Sequence, residues 1–67
     1  MIGRNGRVRM KTARTEANLN QREVADRMGI SMNTIVEWEL GRRIQRVDQL
    51  AQYCEICGCR PDDIYFD

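Results

Sequence analysis

The 67-residue chain has no histidine and one proline, Pro61. Without histidine it lacks the side chain best suited to proton transfer near neutral pH and the usual nitrogen ligand of zinc. A catalytic pocket is also hard to build at this size, so enzymes are set aside. No stretch approaches the roughly 20 apolar residues of a membrane span. The opening MIGRNGRVRMK holds no apolar core of signal-peptide length, so secretion is not expected. Net charge is nearly absent too, with 11 Lys+Arg against 10 Asp+Glu. What remains is 42% apolar and 31% charged residues, the balance of a folded globular domain rather than a disordered segment. The length gives one domain over 1–67, with a loose start through residue 6.

The small net charge conceals segregation. Residues 1–15 carry Arg4, Arg7, Arg9, Lys11 and Arg14 without an acid, a block of +5. Residues 16–41 sum to −3, residues 42–46 supply Arg42, Arg43 and Arg46 for +3, and residues 47–67 sum to −4. If the two basic blocks meet in space, one face is positive and the back negative.

The apolar pattern is helical. A first helix is expected from about Arg7, with Met10, Ala13, Arg14 and Ala17 on one face and Asn18 as a left-handed stop. Asn20 with Glu23 forms a capping-box signature for a second helix, whose inward stripe is Val24, Ala25 and Met28 and whose stop is Gly29. Ile30 plugs the turn. Ser31 caps a third helix from about Met32 to Leu40, which turns Ile35 and Trp38 inward and leaves Met32, Asn33, Val36 and Glu37 outside. After Gly41 and the basic loop, a fourth helix is expected from Val47 to Cys57 with the stripe Val47, Leu50, Ala51, Cys54 and Cys57, stopped by Gly58. Pro61, Asp62 and Asp63 suit the first turn of a last short helix. Residues 4–9 or 64–67 allow a short strand. The expected class is all-α with five helices.

Two short helices joined by a glycine-containing turn, over residues 21–40, read as a helix-turn-helix. Here the residues go further than the pattern. Leu19-Asn20-Gln21, Val24-Ala25, Gly29-Ile30-Ser31, Thr34-Ile35, Trp38-Glu39 and Gly41-Arg42-Arg43 stand in register, followed by a fourth and a fifth helical segment. In these features the chain resembles the Cro/repressor type (XRE) helix-turn-helix regulators, over nearly all of residues 9–66. The resemblance implies a compact, five-helix, lambda-repressor-like domain that binds double-stranded DNA as a homodimer, with the third helix in the major groove. It implies base contacts from Met32, Asn33, Val36 and Glu37. Asparagine can pair with adenine, a carboxylate can accept from the cytosine amine, and apolar side chains can pack on the thymine methyl. It implies phosphate contacts from Gln21, Thr34, Arg42 and Arg43, with Arg9 and Lys11 also in reach of the backbone. Arg14 and Glu39 fall where the family has a buried ion pair, and Trp38 falls in the core. The sequence departs from the pattern at Leu40, where a phosphate-binding asparagine is common, and at Arg46 and Arg60, which stand where capping residues usually precede helices.

Cys54, Cys57 and Cys59 invite a metal reading, but a fourth ligand is missing and their positions match apolar core positions of the family. Buried thiols in a reducing cytoplasm are expected, with no metal, cofactor or disulfide. For Tyr65 and Phe66 two readings stay open: a dimer surface, or packing against the first helix. The function expected is a small transcriptional regulator of bacterial or phage type, a repressor, with one module for the whole task. The alternatives are an antitoxin-like protein that neutralises a toxin-like partner, and an adaptor that has lost DNA affinity.

Overall fold

Most of the helix ends fall where a backbone group finds a specific partner. The computed structural model describes residues 8–65, so the N-terminal segment through Arg7 and the last two residues, Phe66 and Asp67, lie outside the described residues. The helices are α1 (Met10–Glu16), α2 (Gln21–Met28), α3 (Met32–Glu39) and α4 (Val47–Cys57), followed by a single 3-10 turn at Pro61–Asp63. Among the described residues four α-helices thus stand where five helices were expected. The segment after Pro61 completes one tight turn before Ile64 turns extended, at φ −102° and ψ 136°.

Ile64 is drawn into a bridge. It pairs in parallel with Val8, with Val8 N–H donating to Asp63 O at 2.7 Å and Tyr65 N–H donating to Val8 O at 3.1 Å. This isolated bridge joins the two segments where the sequence allowed a strand. It also delays the first helix. Val8 is committed to the bridge and Arg9 is extended, so α1 begins at Met10 rather than near Arg7.

Asn18 adopts a left-handed φ of 61° after α1. The capping box of α2 closes in both directions, at 2.8 Å each, between Asn20 and Glu23. Gly29, at φ 70°, ends α2, and Ile30 N–H returns to Ala25 O. Ser31 Oγ then accepts Asn33 N–H at 3.1 Å to open α3. The unusual starts at Arg46 and Arg60 are half-compensated. A guanidinium has no acceptor to offer the helix, but Gln49 Oε1 accepts Arg46 N–H at 2.9 Å and Asp63 Oδ2 accepts Arg60 N–H at 3.0 Å.

The core gathers Met10 and Ala13 of α1, Val24 and Ala25 of α2, Ile35 and Trp38 of α3, Tyr53, Cys54 and Cys57 of α4, and Ile64. α2 packs against both α3 and α4, while α1 packs against α4. Trp38 meets Tyr53 edge to face, with ring centroids 6.5 Å apart. Two expected stripe members fail. Val47 is 86% exposed and Ala51 is exposed, whereas Tyr53 is fully buried in their place. The inward face of α4 is Leu50, Tyr53, Cys54 and Cys57, a helical i, i+3, i+4, i+7 set.

Candidate nucleic-acid interface

The presented surface is built around α3. Its inner face is pinned by Ile35 and Trp38 against the core, and this fixes the outward direction of the residues between them. Met32 and Asn33, on the first turn, are exposed, while Val36 and Glu37, one turn on, are partly exposed. Thr34 is also partly exposed, and its Oγ1 accepts a long 3.5 Å hydrogen bond from Arg43 Nη1. Arg42 reaches back to Glu37, with Nη1 4.0 Å from Oε2. Thr34–Arg43 and Glu37–Arg42 are thus two polar pairs that link α3 to the loop that follows it. Lys11 is exposed on α1. Arg9 lies over the Tyr65 ring, 5.8 Å from its centroid, and its Nε donates to the Tyr65 hydroxyl at 3.4 Å. Tyr65 is half-buried, with Arg9 over its ring and its backbone N–H bonded to Val8 O.

Behind this surface is a buried charge network. The Glu39 carboxylate, with its side chain only 4% exposed, receives four hydrogen bonds. Arg14 Nε donates to Oε2 at 2.7 Å and Arg14 Nη2 to Oε1 at 3.1 Å, a two-pronged pair. Gln21 Nε2 donates to Oε1 at 3.1 Å. The Tyr53 hydroxyl has one proton and two acceptors, Glu39 Oε2 at 2.7 Å and Met10 O at 3.0 Å, and the nearer, charged oxygen takes the larger share. Arg14 Nη1 donates to Leu19 O at 2.9 Å. The network ties α1, the α1–α2 connection, α2, α3 and α4 together at one point. No buried side-chain polar atom among the described residues lacks a partner.

The titration of these groups follows from their surroundings. Burial by itself would push the Glu39 carboxyl up, but the donors from Arg14, Tyr53 and Gln21 outweigh it and hold it below the ordinary glutamate value. The hydrogen bond to Glu39 raises Arg14, against the opposing effect of burial. Burial, then the adjacent carboxylate, push the Tyr53 hydroxyl far up. Glu39 accordingly presents no charge at the surface of α3, so of the two α3 acids only Glu37 does.

The thiols are inward. Cys54 is fully buried and Cys57 nearly so, while Cys59 is half-buried. Burial pushes Cys54 to about 12 and Cys57 to about 11, and it raises Cys59 as well. Among the described residues no cluster of His, Cys, Asp or Glu is arranged to hold a metal ion. No helix among them is long and apolar enough to cross a membrane.

The residue that sequence reasoning missed is Tyr53. Its spacing from Leu50 and Cys57 places it on the inward face, and that was the available signal. Ile44, in the basic loop, is 92% exposed, and no periodic context marks it in the sequence.

Two short helices joined at Gly29-Ile30-Ser31, the second turned outward and followed by paired arginines, define a DNA-binding helix-turn-helix module. A family model described as helix-turn-helix matches residues 10–64. The chain belongs to that family, the Cro/repressor type of DNA-binding transcriptional regulators, whose partner is double-stranded DNA and which is not a family of enzymes. No curated protein and no solved structure matches it.

Proposed function

We propose that this protein is a repressor that binds a near-palindromic operator as a homodimer, with α3 of each copy in the major groove. The observation that carries the reading is the division of α3. Ile35 and Trp38 are buried, while the first turn offers Met32 and Asn33 to solvent at the end of the helix that enters a groove first. An exposed methionine beside an exposed asparagine suits a base-pair edge, with adenine for the amide and the thymine methyl for the apolar side chain. Val36 and Glu37 extend the base-reading strip by one turn.

Phosphate contacts fall to Thr34, Arg42 and Arg43, clustered at the rim of that strip, with Arg9 and Lys11 on the α1 side. Gln21 gives one amide N–H to Glu39, and its second N–H remains for a phosphate at the start of α2. In the dimer, two α3 helices about 34 Å apart would engage successive turns of the duplex, and occupancy would block polymerase.

Selection from a random duplex library, followed by footprinting at stated salt, tests this reading. The expected product is a two-fold symmetric site. On that site Asn33→Ala lowers the preference over random DNA by about 1–3 kcal/mol for a lost bidentate contact. Arg43→Ala weakens binding to all sequences and reduces the salt slope by about one. Recovery of no preferred sequence, or wild-type binding by both variants, refutes the assigned face.

A further inference from the structure

The large apolar side chains exposed among the described residues are Met32, Leu40, Ile44 and Val47. Met32 belongs to the groove-facing turn of α3. The other three fall within eight residues, at the opposite end of that helix. Leu40 caps α3 and is 58% exposed, Ile44 sits in the loop, and Val47 opens α4. Isoleucine and valine at 92% and 86% exposure, in a loop otherwise made of arginine and polar residues, have no role in the core or in the proposed DNA face.

We propose that Leu40, Ile44 and Val47, with Arg46 and Asp48 beside them, form the surface on which a second copy of this chain docks, with Ile44 and Val47 as its apolar centre. The charges beside the patch favour a like partner. Arg46 and Asp48 flank Val47, both about three-quarters exposed, and within the chain they meet only loosely, with Nε 3.5 Å from Oδ1. A two-fold contact is self-complementary: what residue i offers, the other copy's residue j receives. With the axis near Val47, each Arg46 meets the partner's Asp48 and each Asp48 meets the partner's Arg46, which makes two ion pairs from one sequence element around an apolar centre. Position adds a second argument. The stretch runs from the cap of α3 to the first residue of α4, so a copy docked there is held in a fixed relation to α3, as reading two half-sites requires. Of the two terminal aromatics weighed for a dimer surface, Tyr65 has its ring under Arg9 and its backbone bonded to Val8, and Phe66 lies outside the described residues.

This inference rests on the reading of the protein as a dimeric DNA binder, and the test separates the two. Sedimentation equilibrium of the full chain without DNA measures self-association directly. The wild type is expected to dimerise, and Ile44→Asp to weaken the dimer by about tenfold or more, as loss of a central apolar anchor does. Because Ile44 is almost fully exposed, the variant keeps the wild-type circular dichroism, and it keeps the wild-type melting curve at concentrations where both chains are monomeric. Arg46→Asp alone also weakens the dimer, since it sets like charges face to face, and Arg46→Asp/Asp48→Arg restores it. Asn33→Ala, at the far end of α3, leaves self-association unchanged while lowering operator preference, so a failure of the DNA reading leaves the dimer result standing. A wild type that stays monomeric at millimolar concentration overturns the proposal. So does an Ile44→Asp chain that associates like the wild type, or a charge swap that restores nothing.

Discussion

Replacing Arg14 with methionine should give the protein a gain in stability from Glu39 in mild acid that the wild type does not have. In the wild type, Glu39 is buried at the centre of a network in which Arg14 supplies two of its four hydrogen bonds and the compensating charge. Arg14→Met keeps most of the apolar stem but leaves the carboxylate with only the neutral donors Tyr53 and Gln21. Removing one partner of a buried ion pair costs about 3–5 kcal/mol. A domain of this length has about 3–10 kcal/mol in total, so the variant stands at the edge of unfolding at neutral pH. The diagnostic lies in the pH dependence. In the wild type the folded Glu39 carboxyl titrates below its reference value of 4.5. Its contribution is therefore present above that pH and lost as pH falls through the lower folded value. In the variant burial, the largest influence on this group, is no longer outweighed, and the folded value moves above the reference. The variant then recovers stability as pH falls from 7 toward 4.5, while the wild type gains nothing from Glu39 in that range. Urea denaturation at several pH values, read as the difference between variant and wild type, cancels the shared titration of the other carboxylates. Arg14→Met/Glu39→Gln is the control, because the amide still accepts from Tyr53 and carries no charge, so its pH dependence in this range is flat. A variant-minus-wild-type difference that stays constant between pH 7 and 4.5 would refute the picture of a buried, charge-compensated Glu39.

Two further outcomes are expected. Under reducing conditions the protein loses stability as pH rises through 9 toward 12, because the Cys54 thiol, from 9.0 unfolded to about 12 folded, must stay protonated. Three units at about 1.4 kcal/mol each set a loss of order 4 kcal/mol, and Cys54→Ala should flatten the decline seen in denaturant titrations. Glu37→Gln removes the α3 acid that remains at the surface and frees Arg42 from its 4.0 Å partner. Affinity for random DNA should rise and its salt dependence steepen, both measurable by fluorescence anisotropy. Unchanged non-specific binding would mean that Glu37 does not face DNA.

The helix boundaries were legible where punctuation is chemical. Asn18, Gly29, Gly41 and Gly58 all take the positive φ that their positions after helices demand, and Asn20 and Ser31 cap as their side chains allow. Legibility failed where the outcome depends on contacts distant in sequence. Nothing near Val8 announces that it will pair with Ile64, so the start of α1 was misplaced. A proline followed by two acids reads as a helix start, but the same bridge ends the segment after one 3-10 turn. Val47 matched a helical stripe by spacing, yet it opens α4 at the edge of the loop, where the core does not reach. Tyr53 could have been placed on the inward face from its spacing. Its hydrogen bond to a glutamate 14 positions away could not, because that link exists only once α3 and α4 pack.

The same distinction governs how the charge is to be read. A total of +1 suggests little attraction for a polyanion. The fold takes Arg14 and Glu39 out of that account, since their charges cancel in the interior. It then sets Arg42 and Arg43 directly after α3, with Glu37 the one α3 acid left at the surface. The potential felt by DNA is a property of this arrangement rather than of the sum. With so few uncommitted cations near α3, non-specific attraction is weak, and selectivity has to come from base edges and from the joining of two half-sites. A chain that reads two half-sites as a dimer, as proposed above, has reason to expose an isoleucine and a valine in the loop leaving its recognition helix, where solubility alone would favour polar residues.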